Sequence, residues 1–278
     1  MVCVSGMETY RFKQHLTKTM AWYHTLNQVK AVLGMQQMFG SRRLHYDADF
    51  HRENGTWDAD NLDELGAGGR NQDDALWVRQ DEAPGRIVFN MESGKFIQNF
   101  DDPKRENLRA NIDGFERFDA WEARNSSFTI TGTGKNNSIS TSDGSDFIDG
   151  AKGNDAISAG KGNDIIMGGS GVDSIRTGDG RDTIITKEDF GFALIKDFEI
   201  GQDRLLVQGG MRNVTIKDFR DVDFDSYREE MLAGIRGPYG VSENSLLNSS
   251  MVFKGNDLVA VIESTEASDL SIVGQQIM

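Results

Sequence analysis

The chain has a single cysteine, Cys3, among 278 residues, so no disulfide can form within it and any extra stapling must come from elsewhere. No apolar run approaches the roughly 18–20 residues of a membrane-crossing helix, which removes a helical anchor from the expectation. A secretory leader is also missing from the pattern. Met1–Val4 is too short an apolar core, and Glu8 and Arg11 follow it closely, so any export is expected to use another route. Positive charge is scarce: 30 Lys and Arg face 44 Asp and Glu, a net charge of −14. That balance argues against nucleic acid as a partner and fits hard cations.

Familiar catalytic patterns are absent too. There is no H-E-x-x-H, which argues against a zinc protease, and no G-x-S-x-G elbow, which argues against a lipase of that type. Asp221, Asp223 and Asp225 begin like an EF-hand loop, but Ser226 stands where glycine is needed and Leu232 where the bidentate Glu belongs. The four histidines, His15, His24, His45 and His51, have no recognisable nucleophile partner.

What charge there is falls unevenly. Residues 1–45 carry six basic side chains against Glu8 alone, a net +5, so the chain's −14 leaves −19 for the remainder. Within that basic segment Phe12, Leu16, Met20, Tyr23, Leu26, Val29 and Leu33 recur at steps of three or four, which predicts a helix over 7–39. The helix either packs on a neighbour or lies on an anionic membrane surface. Residues 41–85 are polar and poorly periodic. His45, Asp47, Asp49, His51 and Glu53 would share one strand face there, without matching a metal-ligand spacing. From Arg86 short apolar bursts such as Ile87–Phe89, Phe96-Ile97 and Phe128–Ile130 read as short strands.

The strongest pattern is a nine-residue period. Glycine recurs at 144, 153, 162, 171 and 180, Asp at 146, 155, 164, 173 and 182, and Ile at 148, 157, 166, 175 and 184. The Ile phase extends back to Ile139 and Ile130, where Asn137 and Phe128 hold the Asp slot. A fixed period of this kind indicates stacked repeats. Three residues centred on Ile suit a short strand with Ile pointing inward, and glycines let the remaining six turn the chain. Two nonapeptides then make one coil, so each turn stacks on the turn two units later.

This stacking sets Asp146 over Asp164, Asp155 over Asp173 and Asp164 over Asp182. Two carboxylates ~4.8 Å apart repel by ~0.9 kcal/mol at water's dielectric and ~3.5 kcal/mol at an effective value of ~20. A cation relieves the repulsion. Calcium takes about six to eight oxygens, which carboxylates and turn carbonyls can supply. Three complete calcium sites are expected from the three pairs, with half-sites at each end. The ligand candidates are Asp146, Asp155, Asp164, Asp173 and Asp182, with carbonyls at Gly144, Gly153, Gly162, Gly171 and Gly180.

The repeats resemble the RTX (repeats-in-toxin, haemolysin-type) calcium-binding family, whose unit is Gly-Gly-x-Gly-x-Asp-x-(Leu/Ile)-x. Residues Gly168–Arg176 match it at every defined position, whereas Thr141, Ser142, Ala151, Ala159 and Thr177 replace leading glycines in other units. Ile87–Asn90, Ser93-Gly94, Asn111–Glu116 and Thr129–Gly132 resemble degenerate rungs that precede such repeats, although an ordinary small sheet beside the roll reads equally well. Leu194–Leu205 resembles the segment that closes them. Met251–Phe253 and Leu258–Ile262, around Lys254–Asp257, read as a hairpin.

The expected fold is therefore mainly β: a parallel β-roll or solenoid with an N-terminal helical segment and a C-terminal β-rich cap. Three regions follow: 1–85, helical and irregular; 86–185, solenoid with repeats at about 144–185; and 186–278, cap. The resemblance implies type I secretion with a C-terminal signal, and an extracellular or cell-surface location. Two functions stand side by side. One is a non-enzymatic calcium-binding exported protein or surface module that folds on calcium outside the cell, with a cell-surface or glycan partner. The other is a secreted enzyme of the same family with its active site in residues 1–125.

Overall fold

A computed structural model describes residues 43–47, 75–79, 85–100, 108–111, 115–120, 123–124, 126–187, 191–222 and 246–278. All of them belong to one unit, Ser41–Met278. The helix expected over 7–39, and Asp49, His51 and Glu53, lie outside the described residues.

The nine-residue code acts as a strand-and-turn alternator. Each Ile of the period sits at the middle of a three- or four-residue strand, such as Phe147–Asp149, Ala156–Ser158, Ile165–Met167 or Thr183–Thr186, or near the end of Gly171–Arg176. Successive strands go to opposite sheets, and strands two units apart pair in parallel. Ile148, Ile166 and Ile184 line up in one sheet, and Ile139, Ile157 and Ile175 in the other, at a constant register of eighteen residues. All six side chains are at most 2% exposed. Each contributes roughly 1.5–3 kcal/mol by leaving water. Their flanking strand residues point outward, which gives the intermediate–buried–intermediate pattern of the short strands.

The stack is longer than the repeats. The first sheet runs in parallel from Arg43–Asp47 through Ala75–Arg79, Arg117–Asp119 and the repeat strands to Gly191–Ile195 and Asp257–Ile262. In the second sheet Gly85–Asn90 and Ser126–Thr131 precede the repeat strands, and Arg204–Val207 follows them. Parallel pairing thus reaches beyond 86–185 on both sides. Of the earlier segments that resembled rungs, Ile87–Asn90 and Thr129–Gly132 do contribute stacked strands. The rung between them is Arg117–Asp119, whereas Leu108–Asn111 is an antiparallel strand.

Away from the repeats larger side chains extend the core columns. Phe89 stacks on Ile130, and Leu76 and Phe118 lead to Ile139. Phe118 packs at ring-centroid distances of 6.0 Å from Phe89 and 5.7 Å from Phe128. Edge groups are met by antiparallel strands. Lys95–Phe100 and Leu108–Asn111 continue the second sheet at one end, and Gln276–Ile277 with Ile272–Val273 does so at the other. In the first sheet the expected hairpin forms from Ser250–Lys254 and Asp257–Ile262, with Val214–Asp218 outside it. Added strands of this kind answer the unpaired donors and acceptors a solenoid end leaves open. Over the outer face of the first sheet Phe192, Leu194, Leu246, Met251, Phe253, Leu258 and Val261 form a second hydrophobic cluster, joined by Val172.

Candidate metal centre

Each repeat turn comprises six residues, slots one to six, ending on the Asp in slot six. Two nonapeptides per coil place the turns in two columns on opposite sides of the roll. The first column contains Asp146, Asp164 and Asp182, and the second contains Asn137, Asp155 and Asp173. The predicted pairs do meet. Asp164 Oδ1 accepts the Asp146 N–H at 2.8 Å, Asp182 Oδ1 the Asp164 N–H at 2.8 Å, and Asp173 Oδ1 the Asp155 N–H at 3.0 Å. Phe128 and Asn137 donate in the same way to Asp146 and Asp155, both at 2.7 Å.

All five aspartates are at most 3% exposed. One oxygen of each carboxyl is therefore answered by the backbone. The other oxygen, Oδ2, is buried without a hydrogen-bond partner in Asp146, Asp155, Asp164 and Asp182. Buried polar atoms are nearly always paired, and a buried charge left unanswered costs several kcal/mol. Burial accordingly pushes the carboxyl groups far up, to about 8 for Asp146 and Asp155, about 7 for Asp173 and Asp182, and about 6 for Asp164. The backbone N–H bonds offset part of this shift, and neighbouring carboxylates add to it: Asp164 acts on Asp146, and Asp173 on Asp155. The aspartates are therefore held at neutral pH in a setting that favours either a proton or a cation.

Side chains alone do not make a cage. Among the described residues no group of three or more His, Cys, Asp or Glu side chains could hold a metal ion. The further oxygens that calcium needs would have to come from the turn backbone. The slot-four glycines, Gly144, Gly153, Gly162, Gly171 and Gly180, have φ between 116° and 146°, which only glycine adopts readily. There is no room for a side chain either. A Cβ on Gly162 would stand 1.9 Å from the Gly144 carbonyl oxygen, and one on Gly171 2.0 Å from that of Gly153. In slot one, a Cβ on Gly150 would stand 2.3 Å from the Gly168 carbonyl oxygen and 2.5 Å from Asp155 Oδ2, so that turn too packs against bare backbone. An all-oxygen set with hard anionic members suits calcium better than zinc, which prefers nitrogen and sulfur.

Two features escaped the reading of the period. Slot five forms a second ladder, running opposite to the aspartates: Asn136 Oδ1 accepts the Asn154 N–H at 2.8 Å, Asn154 Oδ1 the Val172 N–H at 2.9 Å, and Asn163 Oδ1 the Arg181 N–H at 3.0 Å. The recurring Gly-Asn-Asp at 153–155 and 162–164 was its signal. The first column also continues past the period. Asp203 Oδ1 accepts the Asp182 N–H at 3.0 Å, from a coil of twenty-one residues that breaks the spacing. Asp203 differs from the repeat aspartates in its second oxygen, which accepts the Glu199 N–H at 2.9 Å and the Thr177 hydroxyl at 3.3 Å. At the opposite end Asn137 Oδ1 accepts the Thr133 N–H at 2.7 Å, and its amide nitrogen donates to the Glu116 carbonyl at 3.3 Å.

Residues 129–157 and 152–184 match the family model of the RTX calcium-binding nonapeptide repeat. No curated protein matches the chain. The stretch 129–184 is thus an RTX repeat array, built as a parallel β-solenoid.

Proposed function

We propose that this protein is a calcium-dependent module whose repeats complete their fold when calcium bridges the stacked aspartates. The carrying observation is the set of buried, unanswered Oδ2 atoms in Asp146, Asp155, Asp164 and Asp182. Asp146 with Asp164, Asp155 with Asp173, and Asp164 with Asp182 supply the carboxylates of three sites. Turn carbonyls, including those at Gly144, Gly153, Gly162, Gly171 and Gly180, supply neutral oxygens. At calcium about ten times the dissociation constant each site adds about 1.4 kcal/mol, and three add about 4 kcal/mol. This is a large part of a domain's net stability.

Such a device works where calcium is abundant. Extracellular calcium modules commonly have dissociation constants of about 10⁻⁴–10⁻³ M, and cytosolic calcium leaves them empty. The reading places the protein outside the cell or on its surface, exported by a type I route with a C-terminal signal. An unloaded chain with −19 of charge beyond residue 45 stays open during passage. A cell-surface or glycan ligand suits this location. Calcium titration of the full chain, followed by far-ultraviolet circular dichroism, tests the proposal. A β signal that grows with calcium and reverses with chelator is expected; a signal indifferent to both contradicts it.

A further inference from the structure

The second column begins on a turn that departs from the five after it. Residues 132–137 keep the repeat phase, but Lys135 holds slot four and Asn137 slot six. In every later repeat turn slot four has a φ between 116° and 146°, whereas Lys135 does not take a positive φ. A residue with a Cβ disfavours that region. The peptide groups around slot four are therefore oriented differently here from those of the turns that follow.

The polar groups of this turn are answered within the protein. Asn137 is 1% exposed. Its Oδ1 accepts the Thr133 N–H at 2.7 Å, and its Nδ2 donates to the Thr133 hydroxyl at 3.1 Å and to the Glu116 carbonyl at 3.3 Å. The Thr133 hydroxyl also accepts the Lys135 N–H at 3.1 Å. Asp155, one coil further along the column, instead leaves Oδ2 without a partner. Charge is balanced locally as well. The Lys135 ammonium lies 2.5 Å from the carboxylate of Glu116, a side chain 8% exposed. Glu92 accepts the Gly134 N–H at 3.1 Å, and its charge acts on Lys135 too. Glu92 and Glu116 both belong to earlier rungs, so the turn is held from outside the repeats.

We propose that Lys135 and Asn137 close the second column to calcium, making turn 132–137 a metal-free lid against which the first calcium-binding turn of that column is registered. The inference rests on the calcium reading and sets where the array stops. An ion between the Asn137 and Asp155 turns would meet an amide in place of a slot-six carboxylate, a reoriented slot-four peptide and an ammonium in the same turn. Protein groups thus take the place of the half-site expected at this end of the column. The lid still presents the edge that residues 150–155 need. The Thr133 carbonyl accepts the Lys152 N–H at 3.2 Å, Asn136 Oδ1 accepts the Asn154 N–H at 2.8 Å, and the Asn137 N–H donates to Asp155 Oδ1 at 2.7 Å. None of the contacts that hold the lid together requires a metal, so this template stands before calcium arrives.

Calorimetric calcium titration of the full chain tests this. Lys135→Gly combined with Asn137→Asp restores the repeat residues of slots four and six, and this double variant should bind one calcium ion more than wild type. A folded double variant with the wild-type count would overturn the closure. Hydrogen exchange of the wild-type chain in chelator tests the lid without any substitution. The amides of Thr133, Lys135 and Ser138 should stay protected while those of Asp155 and Ser174 lose protection. Exchange as fast at the first three as at the last two would overturn the lid while leaving calcium binding intact. No calcium uptake by either chain would overturn the underlying reading and the closure with it.

Discussion

The repeat turns and the C-terminal cap use the same parallel stack but balance their buried polar groups in opposite ways. In the repeats each coil adds two inward Ile residues and two buried carboxyl groups, and four of these carboxyls keep an oxygen with no protein partner. In the cap Asp203 is equally buried, yet backbone and hydroxyl donors answer both its oxygens. The cap also buries Phe192, Met251, Phe253 and Val261 on the outer face of a sheet that the repeats leave half exposed. A narrow solenoid has room for one apolar side chain per strand. It is therefore short of hydrophobic stabilisation where it is most regular, and on the proposed reading a bound cation supplies what the core does not.

Removing calcium should separate the two regions most sharply. Hydrogen exchange under chelation should collapse protection of the amides of 146–184, whereas those of 250–262 stay protected. Equal loss in both would remove the distinction. The corresponding loss of stability for three sites is about 4 kcal/mol at calcium ten times the dissociation constant.

Acidification should act on the metal-free repeats in the reverse direction. Their carboxyl pKa values lie above the ordinary value of 3.8, at about 6 to 8, so the folded state holds protons that the unfolded state releases. That contribution is fully present below about pH 4 and is lost as pH rises through the folded values. Melting curves in metal-free buffer should show the repeat transition rising as pH falls from 8 toward 5. With calcium present protons compete with the ion, and the same change should lower it.

A smaller effect comes from single carboxylates. Asp164 belongs to two sites, so Asp164→Asn should reduce the calorimetric stoichiometry from three ions to one and cost about 2.8 kcal/mol of calcium-linked stability. In chelator the same variant should be at least as stable as wild type, because it removes a buried charge. Asp203→Asn provides the contrast. It replaces an acceptor facing the Glu199 N–H with an amide and should destabilise with or without calcium.

The smallest expected change is Ala151→Gly. Ala151 has φ of 74° in slot two, where Gly160, Gly169 and Gly178 have similar positive values. Relief of that left-handed strain should stabilise the chain by about 0.5–1 kcal/mol, read as a modest rise in melting temperature in either calcium condition.

Much of this was legible because one short period encodes everything it needs. Gly, Asp and Ile at fixed spacing specified the turn, the polar column and the core column, and the eighteen-residue register followed. The flanks carried no such signal. Leu76 pairs with Phe118 across forty-two residues, and Ala193 with Ala260 across sixty-seven, so their stacking depends on tertiary packing rather than on a local code. Leu194–Leu205 was recognisable as a closing segment, but its role as two further rungs, 191–195 and 204–207, rested on coils of unequal length. Within the site, the facing aspartates could be read. Which oxygen meets an N–H and which is left bare could not, since that depends on side-chain rotation within a turn.

The most direct test of the central claim is anomalous scattering from crystals of the full chain grown in millimolar calcium. The account predicts peaks between Asp155 and Asp173, between Asp146 and Asp164, and between Asp164 and Asp182, each within bonding distance of an aspartate Oδ2. Well-ordered turns with no peak at any of the three positions would contradict it.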